Sequence, residues 1–164
     1  INDDQIRDLM STGGDRYDTS KTYENEKLRN YVISNLKPKN SVNTVVGLET
    51  YGLTLGILIA NNMNQKFIPI REKNKIPAPD KYLKSARCGY SHRRKTLEID
   101  IRRFESVESV LLVDDWIESG TQILTAIDLL GSIDIQVSEI SVIGIDKNFD
   151  TDKIDNNINL NKVI

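Results

Sequence analysis

Apolar positions along this chain fall into short runs and helical periods that take turns. Residues 44–48, TVVGL, form a compact apolar run that reads as a buried strand. Leu53, Leu55, Ile57, Leu58 and Ile59 then carry a helix that ends in the polar stretch 61–65. Residues 66–70 read as a second short strand, 96–101 alternate as another, and 110–113 are a continuous apolar strand. A helix over 121–130 is bounded by Gly131, and 140–145 form a further strand. Upstream, Leu28, Tyr31, Val32 and Leu36 give 23–36 a helical spacing, which Pro38 stops. Residues 71–95 contain Pro77, Pro79, Gly89 and many charges and read as a long loop or hood. The Asn-rich tail, 150–164, reads as loop plus one short strand. Strand and helix in alternation predict an α/β fold with a mainly parallel sheet, without internal repeats or a domain linker.

Composition narrows the partners. The chain has 164 residues, 38% hydrophobic and 28% charged, the profile of one globular domain with a real core. A formal net charge of -2 and a pI near 5.5 point to neither a nucleic-acid nor a membrane partner. No apolar run approaches the ~20 residues a membrane span needs. Cys88 has no partner for an internal disulfide, which fits a reducing, cytoplasmic compartment. One cysteine and one histidine cannot build a structural zinc site. Neither G-x-x-x-x-G-K-[ST] nor G-x-G-x-x-G occurs, and no nucleophile elbow accompanies His92.

The chemistry concentrates in VLLVDDWIESGTQ, residues 110–122. Asp114 and Asp115 close an apolar strand, and in open parallel sheets ligands bind beyond the carboxyl ends of strands. Two adjacent ionised carboxylates there need hydroxyls, a cation, or both. Ser119, Gly120 and Thr121 form a small polar turn into a helix, whose first N–H groups and dipole make an anion site. Acids for sugar hydroxyls and amides for a phosphate, a few residues apart, suit a ribose 5-phosphate. The plainer alternative is a buried strand followed by a helix capped by Ser119 or Asp115.

This stretch resembles the phosphoribosyl pyrophosphate (PRPP) motif of the type I phosphoribosyltransferases, and of their adenine-specific members in particular. VVGLETYGLTLG (45–56) resembles the segment in which a strand enters a pyrophosphate-binding loop and then a helix. FIPIREKNKIPAP (67–79) resembles the next strand and the basic opening of a flexible hood, and TLEIDI (96–101) the strand that closes it. The resemblance implies the type I phosphoribosyltransferase fold: a parallel-rich sheet flanked by helices, in a single domain over 1–164. Its core would span about 41–149, with hood contributions from 1–40 and 71–95. It implies ribose binding by Asp114 and Asp115, and 5-phosphate binding by Glu118, Ser119, Gly120, Thr121 and Gln122. Thr50, Tyr51, Gly52, Arg71, Lys73 and Lys75 would take the pyrophosphate. The cofactor would be Mg²⁺, held mostly through substrate and water, with Asp114 and Asp115 as the candidate protein contacts. A homodimer that uses PRPP and a nucleobase would follow.

Several positions depart from that pattern. Thr121 and Gln122 stand where adenine-type loops have a glycine and a threonine, and Tyr51 where the pyrophosphate loop commonly has arginine. GYSHRRKT (89–96) lacks the hood glutamate of the adenine enzymes, although its basic run Arg93, Arg94 and Lys95 would suit pyrophosphate closure. Glu118 occupies a place where the 6-oxopurine enzymes carry an aspartate proposed to exchange a proton with purine N7, which makes it the candidate catalytic acid-base group. Lys147 resembles the lysine that reads the 6-oxo group in those enzymes and is the candidate base-binding residue; it is also a plausible strand-end surface residue. The expected function is transfer of ribosyl 5-phosphate from PRPP to a nucleobase, a purine above all. The alternative is a PRPP- or nucleotide-sensing regulator that keeps the site without transfer.

Overall fold

The computed structural model describes residues 1–14, 17–89 and 95–164. Five helices and nine strands follow in the order α1 (Asp3–Met10), α2 (Lys21–Glu24), α3 (Glu26–Asn35), β1 (Thr44–Leu48), α4 (Tyr51–Met63), β2 (Lys66–Glu72), β3 (Leu83–Arg87), β4 (Thr96–Asp100), β5 (Ser109–Val113), β6 (Trp116–Ile117), α5 (Thr121–Gly131), β7 (Gln136–Val142), β8 (Gly144–Ile145) and β9 (Asn159–Lys162) among these residues. Seven of the strands form one sheet in the order β3-β4-β2-β1-β5-β7-β9, and β6 pairs with β8 in a separate ribbon. From β2 to β9 every pairing is parallel, while β4 runs antiparallel to both β2 and β3. The sheet is therefore parallel-rich and flanked by helices, as the alternation of elements predicts.

Both faces of the sheet are buried, which is why its strands read as continuous apolar runs rather than alternating ones. Val45, Leu111 and Val113 point to the side of α1, α3 and α4, where they meet Ile6, Met10, Leu28, Val32, Leu55 and Ile59. Val46, Leu48, Val110 and Leu112 point to the other side, against Ile123, Ala126, Leu129 and Leu130 of α5. Pro69 is tolerated inside β2 because β4 pairs with that strand only at Arg71 and Glu72, leaving the flank at Pro69 without a ladder.

Four segments differ from the pattern reading. The helix expected over 23–36 is two helices, because Asn25 is extended and caps α3 through its side chain, which accepts from the Leu28 amide at 3.0 Å. Residues 71–95 are not a loop throughout: β2 continues to Glu72, and β3 makes an antiparallel ladder with β4 from Leu83–Asp100 to Arg87–Thr96. The LKSAR run is polar because β3 is a sheet edge, and edge strands carry charge. The strand expected over 140–145 starts earlier, at Gln136, and is interrupted at Ile143, where the chain leaves the main sheet for the β6 ribbon. The N-terminal helix α1 has no counterpart in the reading; an Asn2–Gln5 capping box starts it, and it buries Ile6 and Met10.

The connections place the site. β1 leads through α4 to β2 on one side, while its other neighbour β5 leads through α5 to β7 on the opposite side. The carboxyl ends of β1 and β5, paired at Gly47 and Val113, are thus a topological switch point, where a crevice opens.

Candidate active site

Asp114 and Asp115 leave β5 at this crevice. Asp114 is 7% exposed, and its Oδ1 accepts the Asp115 amide at 2.9 Å. Burial first, and the adjacent Asp115 second, hold the Asp114 carboxyl well above the ordinary carboxylate range. Asp115 is less buried, and its Oδ2 accepts the Thr19 hydroxyl at 2.6 Å. The head of α4 presses on the pair: a Cβ on Gly52 would lie 2.7 Å from the Val113 carbonyl oxygen and 3.1 Å from Asp114 Oδ1. Only a residue without a side chain lets the 49–52 turn approach the acids this closely.

Beyond the acids the chain forms β6 and turns at 118–120. Gly120 is the N-cap of α5, at φ 78°, and a Cβ there would fall 1.9 Å from Phe149 Cε2. Neither Asp115 nor Ser119 caps this helix in the usual way. Gly120 at the cap position makes no side-chain hydrogen bond; instead the preceding Ser119 hydroxyl accepts the Thr121 amide at 3.4 Å. First-turn N–H groups have no partners inside their own helix, so the head of α5 suits an anion. Asp114, Trp116, Ile117, Glu118, Ser119, Gly120, Gln122 and Ile123 line a cleft of about 160 Å³ here. That is small beside the ~300–1,000 Å³ of pockets that enclose whole ligands, and suits a phosphate-sized group. Glu118 and Ser119 are exposed at its mouth.

The residues expected at the pyrophosphate gather around Glu49. The Glu49–Thr50 peptide is cis, and Thr50 and Tyr51 are exposed at the head of α4. The Glu49 carboxylate is 8% exposed and accepts the Glu72 amide at 2.9 Å, Lys75 Nζ at 2.8 Å and Arg71 Nε at 3.3 Å. Burial raises this carboxyl, but Lys75, the Glu72 amide and Arg71 together outweigh it and bring it to about 2. Arg71 and Lys75 thus face the loop with their charges already shared with Glu49. Lys73 is exposed on the turn that follows β2. Gln122 reaches across from α5, its Nε2 donating to the Glu49 carbonyl at 2.7 Å.

Lys147 stands apart from this constellation. It lines a neighbouring groove with Ile145, Asp146, Phe149, Thr151, Leu160 and Lys162, and the Phe149 ring also lies against Gly120. His92, Arg93 and Arg94 lie outside the described residues. Lys95 bonds to Glu72, 3.4 Å away.

The N-terminal segment contributes residues that the sequence does not advertise. Besides Thr19, Tyr17 stacks on Trp116 at 5.4 Å between ring centroids, and Tyr23 stacks on Tyr51 at 6.1 Å. Burial, then Asp115, Tyr51 and Asp114, raise the Tyr23 phenol well above its ordinary value, so it stays a donor. A tyrosine pair and a lone threonine before a short helix carry no periodic or motif signal. Glu49 lies within VVGLETYGLTLG, yet its role as a hub depends on Arg71 and Lys75 folding back onto it.

Among the described residues, no helix is long and apolar enough to cross a membrane, and no three His, Cys, Asp or Glu side chains group as a metal cage.

Comparisons with known proteins agree with this fold. No protein-family model matches the chain. An adenine phosphoribosyltransferase of Brucella suis is 37% identical over 93 residues, which cover 56% of this chain; the chain spans about half of that relative's length, 49%. One from Helicobacter acinonychis is 27% identical over 140 residues, 82% of this chain and 76% of the relative. Among solved structures, the adenine phosphoribosyltransferase of Thermoanaerobacter pseudethanolicus superposes with a TM-score of 0.84 at 20% identity, covering 99% of both chains. The chain is similar in sequence to adenine phosphoribosyltransferases and shares the type I phosphoribosyltransferase fold of their solved structures.

Proposed function

We propose that this chain transfers ribosyl 5-phosphate from PRPP to a ring nitrogen of a purine and releases pyrophosphate. The observation that carries the reading is the acid pair at the switch point, set between an anion-ready helix head and the 49–52 loop. Asp114 and Asp115 would hold the ribose hydroxyls, and residues 118–122 the 5-phosphate. The turn at Thr50, Tyr51 and Gly52, with Arg71, Lys73 and Lys75, would receive the pyrophosphate. In the reaction the bond from ribose C1 to pyrophosphate oxygen breaks, a bond from C1 to the base nitrogen forms, and the base gives up a proton. The chain's part is positioning and charge stabilisation at the leaving group. Glu118, which lines the cleft, would accept that proton. Lys147 is the proposed base-reading residue.

Mg²⁺ fits this donor set. Two adjacent carboxylates match an ion that binds through one or two carboxylates plus substrate phosphates. When bound, it would neutralise charge on the pyrophosphate, with Asp114 and Asp115 as its protein contacts. In this reading one domain carries the site, a cytoplasmic homodimer is the working form, and segments 1–40 and 71–95 contribute to the hood. Thr19 and Tyr23 at the acids support a contribution from the first segment.

The test is pyrophosphate release from PRPP and Mg²⁺ with adenine, hypoxanthine and guanine in turn, alongside direct PRPP binding. Release with one purine is expected. The second reading, a PRPP-binding module without transfer, draws on Tyr51 at the loop and on Arg71 and Lys75 being engaged by Glu49. PRPP binding without release on any base would select it. Absence of both would remove both readings.

A further inference from the structure

Gln122 stands at one of the positions where the chain departs from the adenine-type loop, and the structure gives it a task there. Its Nε2 donates at 2.7 Å to the Glu49 carbonyl, 73 positions away in sequence. Glu49 is the last residue before the head of α4. Its amide donates to the Ile70 carbonyl at 3.1 Å, and its carboxylate takes the Glu72 amide, Lys75 and Arg71. Gln122 holds the remaining polar group of this residue, the carbonyl, from the opposite side of the crevice. The carboxamide therefore bridges the first turn of α5 to the turn that opens α4.

We propose that the Gln122 side chain is a positioning residue for the pyrophosphate subsite rather than a phosphate ligand. The proposal rests on the reading above that 118–122 take the 5-phosphate and the 49–52 turn takes the pyrophosphate. The Gln122 amide stays available to the 5-phosphate, because only the side chain is committed to Glu49. With one carboxamide the two anion subsites hold a fixed separation. A ligand that spans both subsites needs that separation, and a ligand that fills only the first does not. PRPP is of the first kind and ribose 5-phosphate of the second.

The experiment compares the two ligands on the same proteins. Parent, Gln122→Met and Gln122→Ala are titrated with PRPP and with ribose 5-phosphate, each with Mg²⁺, and their thermal midpoints are recorded. Gln122→Met keeps the length and removes the donor. Its PRPP affinity should fall about tenfold, the effect of one buried acceptor left unmet, and its ribose 5-phosphate affinity should stay within about twofold. Gln122→Ala carries the same comparison should the methionine variant not fold. Unchanged PRPP affinity overturns the proposal. So does an equal loss on both ligands, which is what general disruption of the loop produces. A parent that binds ribose 5-phosphate and not PRPP removes the pyrophosphate reading itself, and the proposal falls with it.

Discussion

The Thr19 hydroxyl donates to Asp115 Oδ2 across 2.6 Å, although 96 positions separate the two residues in the chain. This bond joins the segment before α2 to the acid pair. Thr19 is 6% exposed, so water does not readily replace the donor. Hydrogen bonds to charged groups contribute roughly 1.5–3 kcal/mol. Thr19→Val keeps the shape and removes the hydroxyl. PRPP affinity should fall roughly 10-fold or more in that variant, while Thr19→Ser, which retains a hydroxyl, should bind like the parent. Equal affinity in all three proteins, measured by titration calorimetry, would show that the bond does not orient Asp115.

How much of this was readable beforehand differs by region. The strand before the acids and the helix after them were legible because an apolar run and a 3.6-residue period are local signals. So was TVVGL, which the structure assigns to β1 over Thr44–Leu48. What local pattern could not show is pairing. LKSAR carries no apolar alternation, and becomes a strand because β4 offers it a ladder. The break at Asn25 was hidden because an asparagine can sit inside a helical period, and only its extended backbone makes it a cap. The acid pair and the turn after it could be placed from the motif, since each lies within one stretch of chain. Thr19, Tyr23 and the Glu49 hub could not, because each exists only as a contact between distant segments.

Asp114 carries a predicted conflict between stability and binding. Burial and Asp115 raise its carboxyl well above the ordinary 3.8. Between 3.8 and that raised value the folded chain holds more protons than the unfolded one, so this residue withdraws stability as pH rises through the window. Asp114→Asn removes the effect. The variant should melt at a higher temperature than the parent at pH 7, with the gap closing as the buffer is taken toward pH ~3–4. Its PRPP affinity should fall at least ~10-fold through loss of a charge-assisted contact. Calorimetric melting across pH and PRPP titration on the same preparations check both halves; a variant that binds like the parent would remove Asp114 from the ribose site.

Glu49 has the opposite sign. Its carboxyl is lowered from 4.5 to about 2, so its pairing contributes stability in full above pH 4.5, and that contribution is lost as pH falls through about 2. Glu49→Gln keeps the hydrogen-bonding shape and cannot carry the charge that Lys75 and Arg71 share. The variant should melt below the parent at pH 7 and meet it near pH 2, so that the acid limb of its stability curve is flatter between pH 2 and 4.5. Parallel curves for the two proteins over that range would mean that the Lys75 and Arg71 contacts add nothing to the fold.

Glu118 separates catalysis from mere location. It is exposed in the turn between β6 and α5, and it lines the cleft together with Asp114, Ser119 and Gln122. A base that attacks C1 must shed or share a proton as the new bond forms, and a carboxylate at the mouth of the cleft can take it. General-base contributions run about 10²–10⁴-fold. Glu118→Gln keeps size and hydrogen bonding but cannot accept the proton. With a catalytic role, kcat should fall by about that range while PRPP affinity stays near the parent value, the pattern of an interaction made only in the transition state. With a role confined to the helix head, a negative charge near the first turn of α5 contributes ~0.3–1 kcal/mol, so the same substitution should lower the thermal midpoint slightly and leave the rate alone. Turnover and melting recorded on paired samples distinguish the two, and a Glu118→Gln variant that turns over as fast as the parent would end the catalytic assignment.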